Sequence, residues 1–215
     1  LEDAVNGAAL VLSVTGATPA YRLAQQVAPH LTPEALYADL NTGNPGLKQR
    51  IAAELPEGAL VDVAIMGSVA ELGVKVPMFV AGPQAEKFVE LLAPYGLELE
   101  VVSAEVGKAA ARELTRSLVS KFIASALIDY MWAAQAMGLE DWAYEELLAE
   151  FESMNAETAK RLMQEVVSNP KRREIEMLDI VEMLEDTEYH SMFVPPTQLV
   201  YNKVYHSIKV PHVEK

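Results

Sequence analysis

The sequence has no cysteine. That excludes disulfides, thiolate metal sites and a cysteine nucleophile, and it fits a reducing compartment, so a cytoplasmic protein is expected. Basic residues are scarce: 17 Lys and Arg stand against 31 Asp and Glu, leaving a net charge of −14. That sign argues against nucleic acid or an anionic membrane surface as the main partner, although a local basic pocket for a phosphorylated cofactor stays open. No apolar run approaches the roughly 20 residues that span a bilayer. The four histidines, His30, His190, His206 and His212, form no i, i+4 pair and have no carboxylate at ligand spacing, so no metal site is expected. G-x-G-x-x-G is also missing, as is an acid assignable to an adenine ribose.

What is present is ordinary for a globular protein. Half of the 215 residues are apolar, enough for one large domain or two small ones. The opening LEDAVNGAALVLSV carries no Met and runs almost at once into an expected strand, which points to residues preceding Leu1. Strands are read at Ala9–Val14, Ala35–Leu40, Ala59–Met66, Pro77–Gly82 and Leu97–Ser103, with helical segments between most of them. That alternation predicts a mostly parallel sheet with crossover helices, and a ligand at the carboxyl ends of its strands. From Val106 to about Gly138 one long Ala- and Leu-rich helix is expected. Further helices follow at 140–154, 156–169 and 170–187, with a last one over 195–208 and a frayed tail. The composition thus divides an α/β part, 1–104, from an all-α part, 105–215.

Three stretches have the residue types for chemistry, and each has a plain structural alternative. In DLNTGNP (Asp39 to Pro45), Asn41 and Thr42 can present an amide and a hydroxyl at the sheet edge, or simply make the turn and cap the next helix. In MGSVAELG (Met66 to Gly73), two glycines around a serine let backbone N–H groups approach an anion, or form a flexible loop. In VGKAAARELTRSLVSKFIAS (Val106 to Ser125), Glu113, Ser117 and Lys121 recur at i, i+4 and i+8 along one stripe. That stripe can line a cleft, or carry a surface Glu113–Arg116 pair and a solvated lysine. Trp132 and Trp142 read as core or interface, and the acid-rich EMLEDTEYH as a solvated helix end.

In order, these pieces resemble the β-hydroxyacid dehydrogenase superfamily, which includes 6-phosphogluconate and 3-hydroxyisobutyrate dehydrogenases. LVLSVTGATP is similar to a strand entering a cofactor loop, and DLNTGNP to Asp-x-[Ser/Asn]-Thr-x-x-Pro. VDVAIMGSV stands where the family has an Asp-Ala-Pro-Val-Ser-Gly-Gly-like strand and substrate loop. PMFVAGPQAEKFVELLAPYG resembles its Gly-ending strand and following helix, and GKAAARELTRSLVSKFIASALIDYMWAAQAMGL its long interdomain helix. VDVAIMGSV and TRSLVSKF are closest to a branch of 6-phosphogluconate-dehydrogenase-like NAD(P)-binding oxidoreductases. The resemblance covers roughly residues 3 to 140.

It implies a Rossmann domain, without its first βαβ segment, followed by a helical domain in a homodimer. The implied chemistry is hydride transfer between NADP or NAD and a small-molecule substrate. Val14 and Thr15 would lie near the cofactor ribose and pyrophosphate, and Thr42 near the nicotinamide. Gly67 and Ser68 would hold a substrate carboxylate or phosphate. The family's catalytic lysine falls six residues after the glycine of its Gly-x-Ala motif, which here is Glu113, and the Asn four residues later is Ser117. Glu113, Ser117 and Lys121 are therefore the expected catalytic group. A carboxylate cannot supply a lysine's positive charge, although a protonated one can donate a proton. Related imine-reducing enzymes also carry a non-lysine residue at that place, which opens imine or other C=N and C=O reduction. The alternative is a non-catalytic nucleotide-binding or scaffold protein that lost the lysine, and a third possibility is an inactive fragment. Cofactor binding and turnover separate these three.

Overall fold

A computed structural model describes residues 1–206 and 209–213. It divides into two compact units, Leu1–Ser120 and Lys121–Lys215. The first holds α1 (Glu2–Val5), β1 (Leu10–Ser13), α2 (Ala17–Val27), β2 (Leu36–Asp39), α3 (Pro45–Glu54) and β3 (Leu60–Ile65). It continues through α4 (Val69–Leu72), β4 (Met78–Ala81), α5 (Ala85–Leu92), β5 (Leu99–Ser103) and the beginning of α6 (Lys108–Ala136). The four-residue α1, anchored by the buried Val5, precedes the expected first strand.

The sheet order is β1-β2-β3-β4-β5. β1, β2 and β3 are parallel neighbours, β4 runs antiparallel to β3, and β5 is parallel to β4. The mostly parallel α/β sheet followed by helices is the expected fold class. β3 and β4 are joined by residues 66–77, which hold only the four-residue α4 and one 3-10 turn rather than the longer crossover helix that usually links parallel strands.

The central strands are buried on both faces, which is why they read as near-continuous apolar runs. Leu36, Ala38, Val61, Val63 and Val80 pack with Phe88 of α5, and Tyr37 and Leu60 pack with Ala24 and Val27 of α2 and Ile51 of α3. Asp39 and Asp62 break these runs, yet are 1% and 0% exposed. The start of α6 closes on the start of α3 at Gly107, whose φ is +95°. A Cβ there would lie 3.0 Å from Pro45 Cβ, so the approach needs glycine twice over.

The second unit contains the rest of α6, then α7 (Glu140–Ser153), α8 (Ala156–Ser168), α9 (Pro170–Glu185) and α10 (Val194–Tyr205). Asn155 starts α8 in a capping box with Thr158. Pro170 occupies the first turn of α9, where its missing N–H costs nothing. Ser207 and Ile208 of the expected last helix, and Glu214 and Lys215 of the tail, lie outside the described residues. Asp129 of α6, 5% exposed, accepts hydrogen bonds from the Tyr189 and Ser191 hydroxyls and from the Met192 amide at 2.9 Å. Ser191 Oγ accepts in turn from the Val194 amide that opens α10. The expected solvated end of EMLEDTEYH is therefore partly tied down, with Leu184 buried and Tyr189 half-buried. Beside Asp129 lies a cavity of about 300 Å³, walled mainly by Ala126, Ala133, Ala134, Trp142 and Met183.

Candidate functional site

Because β1, β2 and β3 are parallel, their carboxyl ends open at one end of the sheet. The three loops that leave them carry Val14 and Thr15, then Thr42, then Gly67 and Ser68. Val14, Thr15, Thr42 and Ser68 are exposed and Gly67 is half-buried. A Cβ at Gly67 would sit 3.2 Å from Val76 and 3.4 Å from Leu72, so the loop folds tightly over its own return. Ser68 occupies the N-cap position of α4, and its carbonyl accepts from the Leu72 amide at 3.0 Å.

Thr42 and Glu113 meet. The threonine hydroxyl donates to Glu113 Oε1 at 2.7 Å, joining the β2 loop to α6 across 71 positions of sequence. Glu113 thus turns to Thr42, where the surface reading pairs it with Arg116. Ser117, one turn along α6, is half-buried in the same unit, whereas Lys121 opens the second unit.

Asn41 behaves differently from its neighbour. Its Oδ1 accepts from the Thr15 amide at 2.6 Å and from the Gly16 amide, and its Nδ2 donates to Ser13 Oγ at 2.9 Å and to Asp39. The amide that the sequence offers to a ligand is spent inside the protein, binding the β1 loop to the β2 loop. Thr42 alone of that pair faces outward.

Beneath these loops lies a buried ionic cluster that motif reading missed. Lys48 of α3 is 1% exposed. Its ammonium donates to Asp39 Oδ2 at 2.8 Å, to the Asp39 carbonyl at 2.9 Å and to the Asn41 carbonyl at 2.8 Å. It also stands 3.5 Å from Asp62 Oδ1. Asp62 Oδ2 accepts from the Gly107 amide at 3.0 Å and the Ala110 amide at 3.2 Å, so a strand carboxylate caps the amino end of α6. Burying three charges is tolerable only with this density of partners. Tyr37, buried on the same face of β2, has its phenol pushed up by burial, with Ser13 acting the other way and Asp39 adding to the rise. The cluster was discoverable in principle. An acid inside each of two doubly buried strands requires a cation, and Lys48 follows Asp39 by nine residues on the next helix.

On another side of α6, about 100° round the helix from Glu113, Lys108, Arg112 and Arg116 line an open groove of about 750 Å³ with Met66 and Phe79. The Arg112 guanidinium lies over the Phe79 ring, 5.5 Å from its centre. In a chain of net charge −14, this stripe is a local field favourable to anions. Among the described residues no group of three or more His, Asp or Glu side chains could hold a metal ion. Nor is any helix among them long and apolar enough to cross a membrane.

No protein-family profile matches the chain. It is 29% identical over 140 residues, 65% of its length, to an uncharacterised 28.5 kDa protein of Methanothermus fervidus, and it spans about half (53%) of that relative. Among solved structures it is similar to the conserved protein MTH1747, of unknown function, described as resembling 3-hydroxyacid dehydrogenases. That match is 27% identical with a TM-score of 0.58, covering 95% of this chain and 78% of the other. It also superposes on an imine reductase from Myxococcus stipitatus in complex with NADP+, at 17% identity and a TM-score of 0.74, covering 95% and 80% of the two chains. The parallel β1–β3 core, the reversed β4–β5 pair and the helices that follow give this chain the fold of the β-hydroxyacid dehydrogenase superfamily, to which the order of its motifs also points.

Proposed function

We propose that this chain serves an NAD(P)-dependent oxidoreductase acting on a small hydroxy-acid, carbonyl or imine substrate, with Glu113 as the proton-handling group. The observation that carries the reading is the Thr42–Glu113 contact at 2.7 Å, placed at the carboxyl ends of parallel strands. Solved structures that share the fold bind NADP+ or NAD+, which supports the same cofactor choice here. Val14, Thr15 and Thr42 would hold the nicotinamide half of the cofactor. Their exposure at the strand ends fits that half, and no residue of this sequence is assigned to the adenine ribose. When bound, the nicotinamide supplies or accepts the hydride.

The chain's own residues then have three tasks. Thr42 fixes one oxygen of Glu113, so the other is oriented to give a proton to a developing alkoxide or amine, or to take one in the reverse direction. Gly67 and Ser68 offer backbone and hydroxyl donors to a substrate carboxylate or phosphate. Ser117 extends the polar stripe of α6 within the first unit as a hydrogen-bonding group. The exposed Phe122 (62%) and Trp142 (61%) of the second unit support a homodimer in which a second copy covers that surface.

The test is NADPH oxidation by the intact protein with cyclohexanone plus a primary amine, and NADP+ reduction with small hydroxy acids. Glu113→Gln is expected to lower kcat at least ~100-fold with little change in NADPH affinity. Wild-type turnover in that variant would remove Glu113 from the mechanism. The non-catalytic alternative is favoured by the glutamate at the lysine position, and NADPH binding without turnover by the wild type would select it.

A further inference from the structure

We infer that Lys48 is a positioning residue, holding from inside the first unit both partners of the Thr42–Glu113 contact. The inference rests on the reading above for its functional meaning, but its geometry stands alone. On one side, the Lys48 ammonium grips the carbonyls of Asp39 and Asn41, and the second of these belongs to the peptide that leads into Thr42. On the other side it faces Asp62, whose second oxygen binds the Gly107 and Ala110 amides. Ala110 precedes Glu113 by three residues on the same helix, so the first turn of α6 is pinned less than one helical turn from the glutamate. Asn41 extends the same cluster to the Thr15 and Gly16 amides of the β1 loop.

None of these side chains can touch a substrate. Lys48, Asp39 and Asp62 are each at most 1% exposed, and Asn41 is 5% exposed. A simpler core would have filled the space with apolar side chains, which is often as stable as a buried ion pair. What an apolar core could not do is hold two carbonyls and two helix-end amides at once. A lysine also suits the task for its shape, because three donors on a flexible stem can reach one side-chain oxygen and two backbone carbonyls that do not lie in a plane. The cluster is therefore a device for fixing two loops and a helix end in one register. A displacement of about 1 Å at such a contact is enough to cost ~100-fold in rate.

The experiment compares the full chain as wild type, as Lys48→Met and as Lys48→Met/Asp39→Asn by residue-resolved amide hydrogen exchange. The single variant leaves two buried carboxylates without their cation and is the one at risk of not folding. The double variant keeps the formal charge of the Lys48, Asp39 and Asp62 set at −1, its native value, and keeps an acceptor at position 39 for Asn41. In the double variant, exchange at Thr15, Gly16, Gly107 and Ala110 is expected to rise at least ~10-fold, with the central amides of β2 and β3 within ~2-fold of wild type. If the wild type turns over NADPH, kcat falls by ~100-fold, and KM for NADPH rises as the Thr15 and Thr42 loops loosen. A uniform rise across the unit, no rise at the four named amides, or loss of the fold in the double variant would each overturn the proposal, because each makes the cluster a matter of stability alone. A wild type without turnover removes the oxidoreductase reading and leaves the exchange pattern to decide this one.

Discussion

Asp129 gives the sharpest quantitative handle on the second unit. Its carboxylate is 5% exposed and gathers the Tyr189 hydroxyl, the Ser191 hydroxyl and the Met192 amide. Hydrogen bonds to a charged acceptor contribute roughly 1.5–3 kcal/mol each, so three independent ones would reach roughly 5–9 kcal/mol. Two effects reduce that figure. Removing the acid also removes the cost of burying its charge, and the Tyr189 and Ser191 hydroxyls, both only half-buried, can turn to solvent. Asp129→Ala is therefore expected to destabilise the second unit by about 2–4 kcal/mol, and Asp129→Asn, which keeps one acceptor oxygen, by about 1–2 kcal/mol. Trp132 and Trp142 both lie in this unit and Trp142 lines the cavity, so urea unfolding followed by tryptophan fluorescence reads the affected part directly. A change below about 0.5 kcal/mol in Asp129→Ala, or a larger loss in Asn than in Ala, would refute the reasoning.

The same hydrogen bonds have a pH signature at both ends of the scale. Burial acts to raise the Asp129 carboxyl, but the Ser191 and Tyr189 hydroxyls and the Met192 and Phe193 amides outweigh it and hold the group below its ordinary value. A depressed carboxyl adds stability above its unfolded value of about 3.9, and that stability is lost as pH falls through the folded value. Burial first, and then the hydrogen bond to Asp129 and its charge, push the Tyr189 phenol up to about 12. That contribution is fully present below about pH 10. It declines as pH rises through about 10 to 12. In Asp129→Ala both slopes flatten relative to wild type.

Two further outcomes are open to direct measurement. Gly107→Ala combines a left-handed backbone with a Cβ 3.0 Å from Pro45, and should destabilise the first unit by about 1–3 kcal/mol in thermal unfolding followed by circular dichroism. An unchanged melting curve would show that α3 and the start of α6 can separate freely. The exposed apolar residues of the second unit predict a dimeric mass in solution scattering at micromolar protein, and Trp142→Glu should shift it toward monomer. A monomeric wild type would remove the homodimer.

The fold was legible where local pattern and burial agree. Doubly buried strands such as β2 and β3 read as apolar runs, and helix breaks at Asn155 and Pro170 are visible as caps. The direction of β4 was not legible, because no residue within the strand states which way it runs beside β3. At the site, Thr42 and Glu113 could be named from ordered motifs, but their contact spans 71 positions and no local rule states it. Asn41 and Lys48 show the opposite difficulty. Polar residues beside a ligand loop look functional or solvated in sequence, and only the packed structure shows that their polar groups are turned inward. Tyr189 was hidden in an acid-rich segment whose composition says solvent, while its partner lies 60 residues earlier.

The cap that Asp62 places on α6 has a consequence for the order in which the chain is made. The amides it needs are those of residues 107 and 110, 45 and 48 positions downstream. During synthesis the sheet strands emerge first, yet the most charged point of their interior cannot close until the first turn of α6 has left the ribosome. A truncation at the compositional boundary near residue 104 would leave Asp62 buried without those donors, whereas one ending at Ser120 retains them. The first unit is in this sense finished by the helix that follows its sheet, and Glu113 is put in place by the same closing step.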